Sequence, residues 1–213
     1  MRAVAFSLTV LLLCAPAADA AAAEISGPTP RADVLALALR ARACARAADG
    51  AGGRVLTVID YSLPSTAKRL WVIDLETSRT LFHELVAHGR GSGENRANRF
   101  SDEPGSKESS LGVFRAADTY QGRHGYTLRL DGLEPGVNGN ARARAIVIHG
   151  ADYATAAFAE RHGRLGRSWG CPVVDPAVHR PLIDTIAGGS LLFVYGEDDH
   201  WLATSELLHC SAN

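Results

Sequence analysis

Short apolar runs separated by turn residues dominate the chain from residue 55 onward. Seven of these runs have strand length and are rich in β-branched, aromatic or leucine residues. They cover residues 55–61, 69–75, 80–87, 112–115, 126–130, 145–149 and 190–195. Short runs at such intervals predict a mainly β domain, a sandwich or barrel of largely antiparallel strands.

Helical periodicity occurs in three places. Residues 31–48 repeat apolar positions at helical spacing before a glycine-rich stop, which predicts an amphipathic helix on the side of the domain. A short helix is predicted near residues 154–161. A third begins with Asp175 as N-cap and Pro176 in the first helical position, and ends at residues 188–189. The predicted fold is therefore a mainly β domain with a few flanking helices.

The N-terminus has a different composition. Arg2 precedes an apolar run over residues 4–13, which is too short to span a bilayer but has the length of a signal-peptide core. Small residues follow it. We predict a signal peptide over residues 1–20, a linker over residues 21–30 and one domain over residues 31–213. The alternative for the first segment is a buried N-terminal helix.

We expect the mature protein to lie in the periplasm or outside the cell. Its cysteines are then expected to pair, because thiols in an oxidising compartment tend to form disulfides. Cys14 is preceded by three leucines rather than the small residue of a lipid-anchored cysteine, so we expect it to leave with the signal peptide. Cys44 is predicted to pair with Cys210; the alternative is two buried free thiols. Cys171 then remains unpaired.

Charge narrows the range of partners. The chain has 22 basic and 23 acidic residues and a formal net charge of -1. No global field attracts nucleic acid or an anionic membrane, and no second apolar segment is long enough to cross a bilayer. The histidines show no metal-ligand spacing and the cysteines are few, so neither a metal nor a cofactor is expected.

Candidate chemistry centres on Ser168-Trp169-Gly170-Cys171. A cysteine acts as a nucleophile in its thiolate form, so it needs a base or a positive neighbour. His149 closes an apolar run and is the candidate base. A tight turn at the glycine would point the backbone amides of residues 169, 170 and 171 at one oxyanion position.

A third group must orient the imidazole of His149. Ser168 and a backbone carbonyl near Gly150 are both candidates, and no acidic residue is required. Taken separately, each feature has a structural alternative: a buried inert Cys171 in a glycine turn, and a histidine satisfied at a strand end. The combination favours catalysis.

The pattern resembles the YkuD-type L,D-transpeptidase family, whose motif is a His-Gly, a spacer and Ser-His-Gly-Cys. His149-Gly150 and residues 168–171 match it. Further matching segments are residues 86–89, 100–101, 109–114 and 163–172, within a similarity that extends from about residue 55 to residue 195. Trp169 replaces the histidine of the motif, and Pro172 begins a sequence that lacks the usual Asn or Arg.

The resemblance implies an enzyme that crosslinks peptidoglycan stems without a cofactor. Cys171 would attack the bond between the L-centre of diaminopimelate and D-Ala, release D-Ala, and pass the acyl group to a neighbouring stem, giving a 3→3 crosslink. His149 would be the base and Ser168 its orienting residue, and carbapenem-type inhibitors would be possible ligands. The alternatives are an L,D-carboxypeptidase or wall hydrolase that uses water, and a catalytically silent wall-binding module.

Several residues are candidates for substrate binding. Arg164 and Arg167 flank the nucleophile and would bind stem carboxylates or lower its pKa, unless they are solvated surface residues. Gly150 and Tyr126 are further candidates for the cleft, although a structural or rim position is the alternative for the tyrosine. The polar segment 88–110 is predicted to be a loop, with its glycine-rich start a flexible rim or lid.

Overall fold

A computed structural model describes residues 24–50 and 52–210. The predicted signal peptide lies outside the described residues, as does the beginning of the predicted linker. Eight strands form one sheet: β1 (Val55–Asp60), β2 (Leu70–Asp74), β3 (Arg79–Glu84), β4 (Gly112–Gly122), β5 (Gly125–Gly132), β6 (Val147–Gly150), β7 (Val173–Val174) and β8 (Leu191–Tyr195).

The strand order is β3-β2-β1-β8-β4-β5-β6-β7. Five neighbouring pairs are antiparallel, while β1 with β8 and β6 with β7 are parallel. Beyond β3, the amide of Ala87 donates to the carbonyl of Val173 in β7 at 2.8 Å. The two ends of the sheet therefore meet, and the sheet nearly closes into a barrel.

Five α-helices flank the sheet in the described part of the chain: α1 (Ala32–Asp49), α2 (Ala156–His162), α3 (Pro176–Ile186), α4 (Asp199–Thr204) and α5 (Glu206–His209). The Asp175 side chain accepts from the amide of Ala177, so the predicted N-cap of α3 is confirmed. The helices α4 and α5 are not predicted from the sequence. None of the described helices combines the length and apolarity that a membrane span requires.

The core lies where the central strands are covered. Every residue of β1, β2 and β8 is buried, because α1 packs on β1 and β8 while α3 packs on β1 and β6. A disulfide joins Cys44 of α1 to Cys210, as predicted, and leaves Cys171 as the free cysteine among the described residues. The predicted mainly β fold with flanking helices is confirmed.

The largest differences from the predicted strands are at β4 and β7. The strand β4 extends to Gly122, well past the predicted end at residue 115, and forms a long hairpin with β5. The sequence does not predict this extension, because the outer half of β4 carries polar and partly exposed residues. The strand β7 has only two residues, too few for a periodic pattern.

Candidate active site

Cys171 lies in a loop that precedes β7, and residues 168–172 are called the nucleophile loop below. Its half-buried thiol points at the carbonyl of Ala145, with Sγ 3.7 Å from that oxygen. Gly170 has a φ of +125°, and a Cβ there would lie 2.8 Å from the carbonyl oxygen of Glu108. Only glycine fits this turn, so the residue before the nucleophile is fixed by the backbone.

His149 lies at the end of β6, where the parallel pairing of β6 with β7 sets it opposite Val173. This register brings the base to the strand that follows the nucleophile loop. Its buried ring places Nδ1 3.1 Å from the carbonyl oxygen of Gly150. A carbonyl accepts only, so Nδ1 carries the proton and Nε2 holds the lone pair of a base.

The environment of His149 favours the neutral ring. Burial lowers its pKa to about 4, although the Gly150 carbonyl opposes this effect, and the neighbouring His124, Arg123 and His179 lower the pKa further. At neutral pH the imidazole is therefore uncharged and able to accept a proton.

The thiol of Cys171 is also uncharged at rest. Burial raises its pKa, while the backbone at Val147 and the guanidinium groups of Arg144 and Arg123 act in the opposite direction. The resting pair is consequently a neutral thiol and a neutral imidazole.

Ser168 shapes the nucleophile loop. Its hydroxyl donates to the carbonyl of Cys171 at 2.6 Å and accepts from the amide of Gly170 at 3.0 Å. Of the two groups predicted to orient His149, the Gly150 carbonyl is the one that the structure places on the imidazole. The Gly170 amide is engaged by the serine, which leaves the amides of Trp169 and Cys171 as the candidate oxyanion donors.

The segment of residues 87–91 backs the nucleophile loop. Ser168 donates from its amide to the carbonyl of His88 at 2.9 Å, and Arg90 donates to the carbonyl of Ser168 at 2.8 Å. A Cβ on Gly89 would lie 2.5 Å from the carbonyl oxygen of Lys107, so the glycine permits a close approach of backbones. The stretch interpreted from sequence as a rim or lid is a loop, but it is built into the wall of the site.

A buried polar cluster lies behind this segment. Arg69 is fully buried and donates to the carbonyls of Leu63 and Val86, and its Nη2 lies 2.7 Å from Nδ1 of His88. Because arginine only donates, His88 must accept at Nδ1 and stays neutral. Burial first, and then Arg69, lower the pKa of His88 to about 3. The guanidinium also covers the ring of Tyr61, with Cζ 4.9 Å from its centroid.

Arg144 is the functional candidate that sequence reasoning missed. Its side chain is 3% exposed and donates to Ser101 O at 2.6 Å and to Glu108 O at 2.7 Å. It also pairs with the buried carboxylate of Asp102 at 3.7 Å. Nothing in the alternating alanines and arginines of residues 141–145 distinguishes this arginine from its neighbours.

The residue after Arg144 is also unusual. Ala145, whose carbonyl faces the thiol, has a φ of +54°, which non-glycine residues rarely adopt. Such strained positions concentrate at functional sites. Here the left-handed residue joins the arginine turn to β6.

The tip of the β4–β5 hairpin covers the base. The ring of His124 stacks on that of His149, with centroids 4.3 Å apart, and Arg123 donates to Nε2 of His124 at 2.9 Å. Tyr126, on the same hairpin, donates its hydroxyl to Asp184 of α3 at 2.6 Å. Its contacts thus run to α3, and its predicted part in substrate binding stays a prediction.

The two arginines predicted to bind substrate are brought together by one carboxylate. Glu94 lies 3.1 Å from Nε of Arg164 and 2.6 Å from Nη1 of Arg167. Gly150 contributes its carbonyl to His149 and allows the ring of His179 to approach its Cα. Among the described residues, no group of three or more His, Cys, Asp and Glu side chains is arranged to hold a metal ion.

The sequence profile of a family described as L,D-transpeptidase catalytic domain matches residues 28–195, most of the chain. No curated protein matches the sequence significantly.

Among solved structures, similar chains include an L,D-transpeptidase from Mycobacterium smegmatis, with 15% identity, a TM-score of 0.43, and 67% of this chain and 59% of that chain covered. One from Stackebrandtia nassauensis has 15% identity, a TM-score of 0.43, and 76% and 68% coverage. An L,D-transpeptidase in complex with imipenem has 15% identity, a TM-score of 0.42, and 67% and 59% coverage. This chain therefore spans less than two thirds of the first and third of these proteins.

Proposed function

The chain belongs to the L,D-transpeptidase catalytic domain family, and from this premise we propose that it is an exported enzyme that uses Cys171 to crosslink peptidoglycan stems. The observation that carries the proposal is the register of β6 with β7, which sets the oriented imidazole of His149 opposite Val173, two residues after the free thiol of Cys171 in its glycine turn. Ser168 acts by holding the turn, and the Gly150 carbonyl orients His149.

The first half-reaction forms a thioester. As Sγ of Cys171 attacks the carbonyl carbon between diaminopimelate and D-Ala, Nε2 of His149 takes the thiol proton. The negative charge that develops on the carbonyl oxygen is stabilised by the amides of Trp169 and Cys171. Collapse of this intermediate breaks the C–N bond, and D-Ala leaves with the proton from the imidazolium.

The second half-reaction transfers the acyl group. An amine on a neighbouring stem attacks the thioester carbon and gives its proton to His149, and the thiolate leaves and is reprotonated by the same imidazolium. The product is a 3→3 crosslink. If water replaces the amine, the product is a tripeptide, which is the L,D-carboxypeptidase outcome.

Trp169 presents an exposed aromatic side chain directly beside Gly170 and Cys171. Its indole is 64% exposed, beside the nucleophile, and Nζ of Lys107 lies 5.1 Å from its ring centroid. Replacement of the family's histidine by this tryptophan changes the cleft wall without changing the backbone amide at that position.

The test is intact-mass spectrometry of the mature protein incubated with a carbapenem, in parallel with Cys171→Ser, followed by incubation with a disaccharide tetrapeptide. A single adduct on the wild type alone, together with a 3→3 dimer, supports the proposal. An adduct accompanied only by tripeptide and free D-Ala identifies the carboxypeptidase. Absence of both adduct and product supports a wall-binding module and refutes the enzyme proposal.

A further inference from the structure

An arginine-lined cavity lies beside the nucleophile loop and has no part in the chemistry described so far. Its volume is about 500 Å³. Four arginines line it together with Glu94, namely Arg90, Arg96, Arg99 and Arg167, and Nη1 of Arg167 lies 2.6 Å from the carboxylate of Glu94. This cavity is called the arginine pocket below. In a chain with a formal net charge of -1, it concentrates positive charge in one concave place.

The loop that forms the arginine pocket is held in place by buried hydrogen bonds. Ser92 is fully buried, its hydroxyl accepts from the amide of Ser109, and its carbonyl accepts from the amides of Asn98 and Arg99. Asn95 accepts from the hydroxyl of Ser65 at 2.9 Å. A preformed loop loses little conformational entropy when a ligand binds.

Glu94 indicates which chemistry fits the pocket. Its two carboxylate oxygens contact Arg167 and Arg164 at 2.6 and 3.1 Å, and its side chain is 71% exposed. An ion pair this exposed is weak in water, so a competing carboxylate can displace the side chain. The glutamate thus occupies the position of a ligand carboxylate.

Backbone contacts place the arginine pocket next to the nucleophile. Arg167 directly precedes Ser168, and the amide of Arg90 donates to the carbonyl of Ser168 at 2.8 Å. A carboxylate bound in the pocket therefore lies alongside the nucleophile loop, at its Ser168 end.

We propose that the arginine pocket binds a free carboxylate of a peptidoglycan peptide stem and that Glu94 occupies the site until the stem displaces it. This inference rests on the proposed function for the identity of the ligand. Arginine suits the task because its planar fork binds a carboxylate through two parallel hydrogen bonds.

The test measures binding of the tripeptide L-Ala-γ-D-Glu-diaminopimelate to the mature Cys171→Ala protein by titration calorimetry. Glu94→Gln is expected to tighten binding three- to tenfold, because the internal competitor loses its charge. Arg90→Gln is expected to weaken binding by a similar factor, and added salt should weaken binding to the parent protein. Arg54→Gln is the matched control, because Arg54 is an exposed arginine paired with Asp74 and Glu76, and it should leave the affinity unchanged.

Unchanged affinity in both Glu94→Gln and Arg90→Gln would overturn the inference. Inorganic phosphate that binds more tightly than the tripeptide and displaces it would also overturn it, since the pocket would then serve a phosphate-bearing ligand. Because the titration needs no turnover, tripeptide binding without crosslinking would support the pocket and contradict the proposed reaction. Crosslinking together with unchanged tripeptide affinity in the pocket variants would support the proposed reaction and contradict the pocket.

Discussion

Replacing Arg144 with glutamine separates the structural and the electrostatic contributions of a buried cation. The guanidinium donates to the carbonyls of Ser101 and Glu108 and pairs with Asp102, whose side chain is only 6% exposed. Glutamine keeps a polar side chain but removes the charge and most of the donors. The carbonyls of Ser101 and Glu108 and the buried carboxylate of Asp102 then each lose the guanidinium as a partner.

The expected loss of stability follows from this geometry. Breaking a buried ion pair on one side costs about 3–5 kcal/mol. Asp102 keeps the amide of Asn140 at 2.9 Å, so the lower end, about 3 kcal/mol, is expected. In a domain of this size, about 2–4 °C of melting temperature is lost per kcal/mol, so thermal unfolding should shift down by about 6–12 °C.

Thiol reactivity provides the second readout. Arg144 opposes the effect of burial on the pKa of Cys171, so its loss should raise that pKa. At a fixed pH below the pKa, each rise of about one unit in the pKa slows alkylation about tenfold, because only the thiolate reacts. The rate of iodoacetamide alkylation against pH should shift to higher pH in Arg144→Gln and shift less in Arg144→Lys.

Arg142 is the matched control, two residues away on the same turn. It is exposed and pairs with Asp131, and surface pairs contribute about 0–1 kcal/mol. Arg142→Gln should therefore change neither the melting temperature by more than a few degrees nor the alkylation profile. An Arg144→Gln protein with wild-type stability and an unshifted profile would refute the assignment of Arg144 as a functional candidate.

Three further predictions follow from the site and the termini. His149→Ala should abolish turnover while leaving far-UV circular dichroism unchanged; near wild-type turnover would exclude it as the base. The pKa values of His88 (about 3) and His149 (about 4) lie below the ordinary value of 6.5, so the unfolded chain binds more protons. The contribution of these two neutral histidines to the free energy of unfolding is fully present above pH 6.5. It falls as the pH drops toward 4, by about 3 kcal/mol for His149 alone. Urea titrations at pH 7 and 4.5 would show this difference, and equal midpoints would contradict it. The Cys44–Cys210 disulfide closes a 166-residue separation, for which the chain-entropy estimate is about 5 kcal/mol. Cys44→Ser should lower the urea midpoint accordingly, and an unchanged midpoint would contradict that estimate.

Local patterns predicted the parts of the fold that local physics determines. The cap at Asp175, the span of α1 and the central strands follow from periodicity and residue preference, so sequence suffices for them. The same holds for Cys171 and His149 as candidates, because a glycine turn and a strand end are visible in a line of residues. Their register across β6 and β7 is not visible there.

The parts that sequence could not predict depend on contacts between distant segments. Arg144 is important because the turn after Asn140 places its guanidinium against the carbonyls of Ser101 and Glu108. Arg69 is important because it reaches His88 from the position just before β2. Neither arginine has a local pattern that separates it from a solvated one. Which of the two candidates, Ser168 or the Gly150 carbonyl, contacts the imidazole of His149 likewise depends on tertiary geometry alone.

The protonation state of the resting site bears on where this enzyme is proposed to work. A compartment that oxidises Cys44 and Cys210 would also oxidise an exposed thiolate, which is the form that reacts with oxidants and disulfides. Burial keeps Cys171 as a thiol, and a base with a pKa near 4 does not deprotonate it at rest. In the proposed mechanism, the proton moves when a substrate carbonyl lies against the amides of Trp169 and Cys171, because only then is the developing charge stabilised. Acylation by a carbapenem should therefore be much faster at pH 7 than alkylation by iodoacetamide at equal concentration, and the reverse order would show that the thiolate forms without substrate.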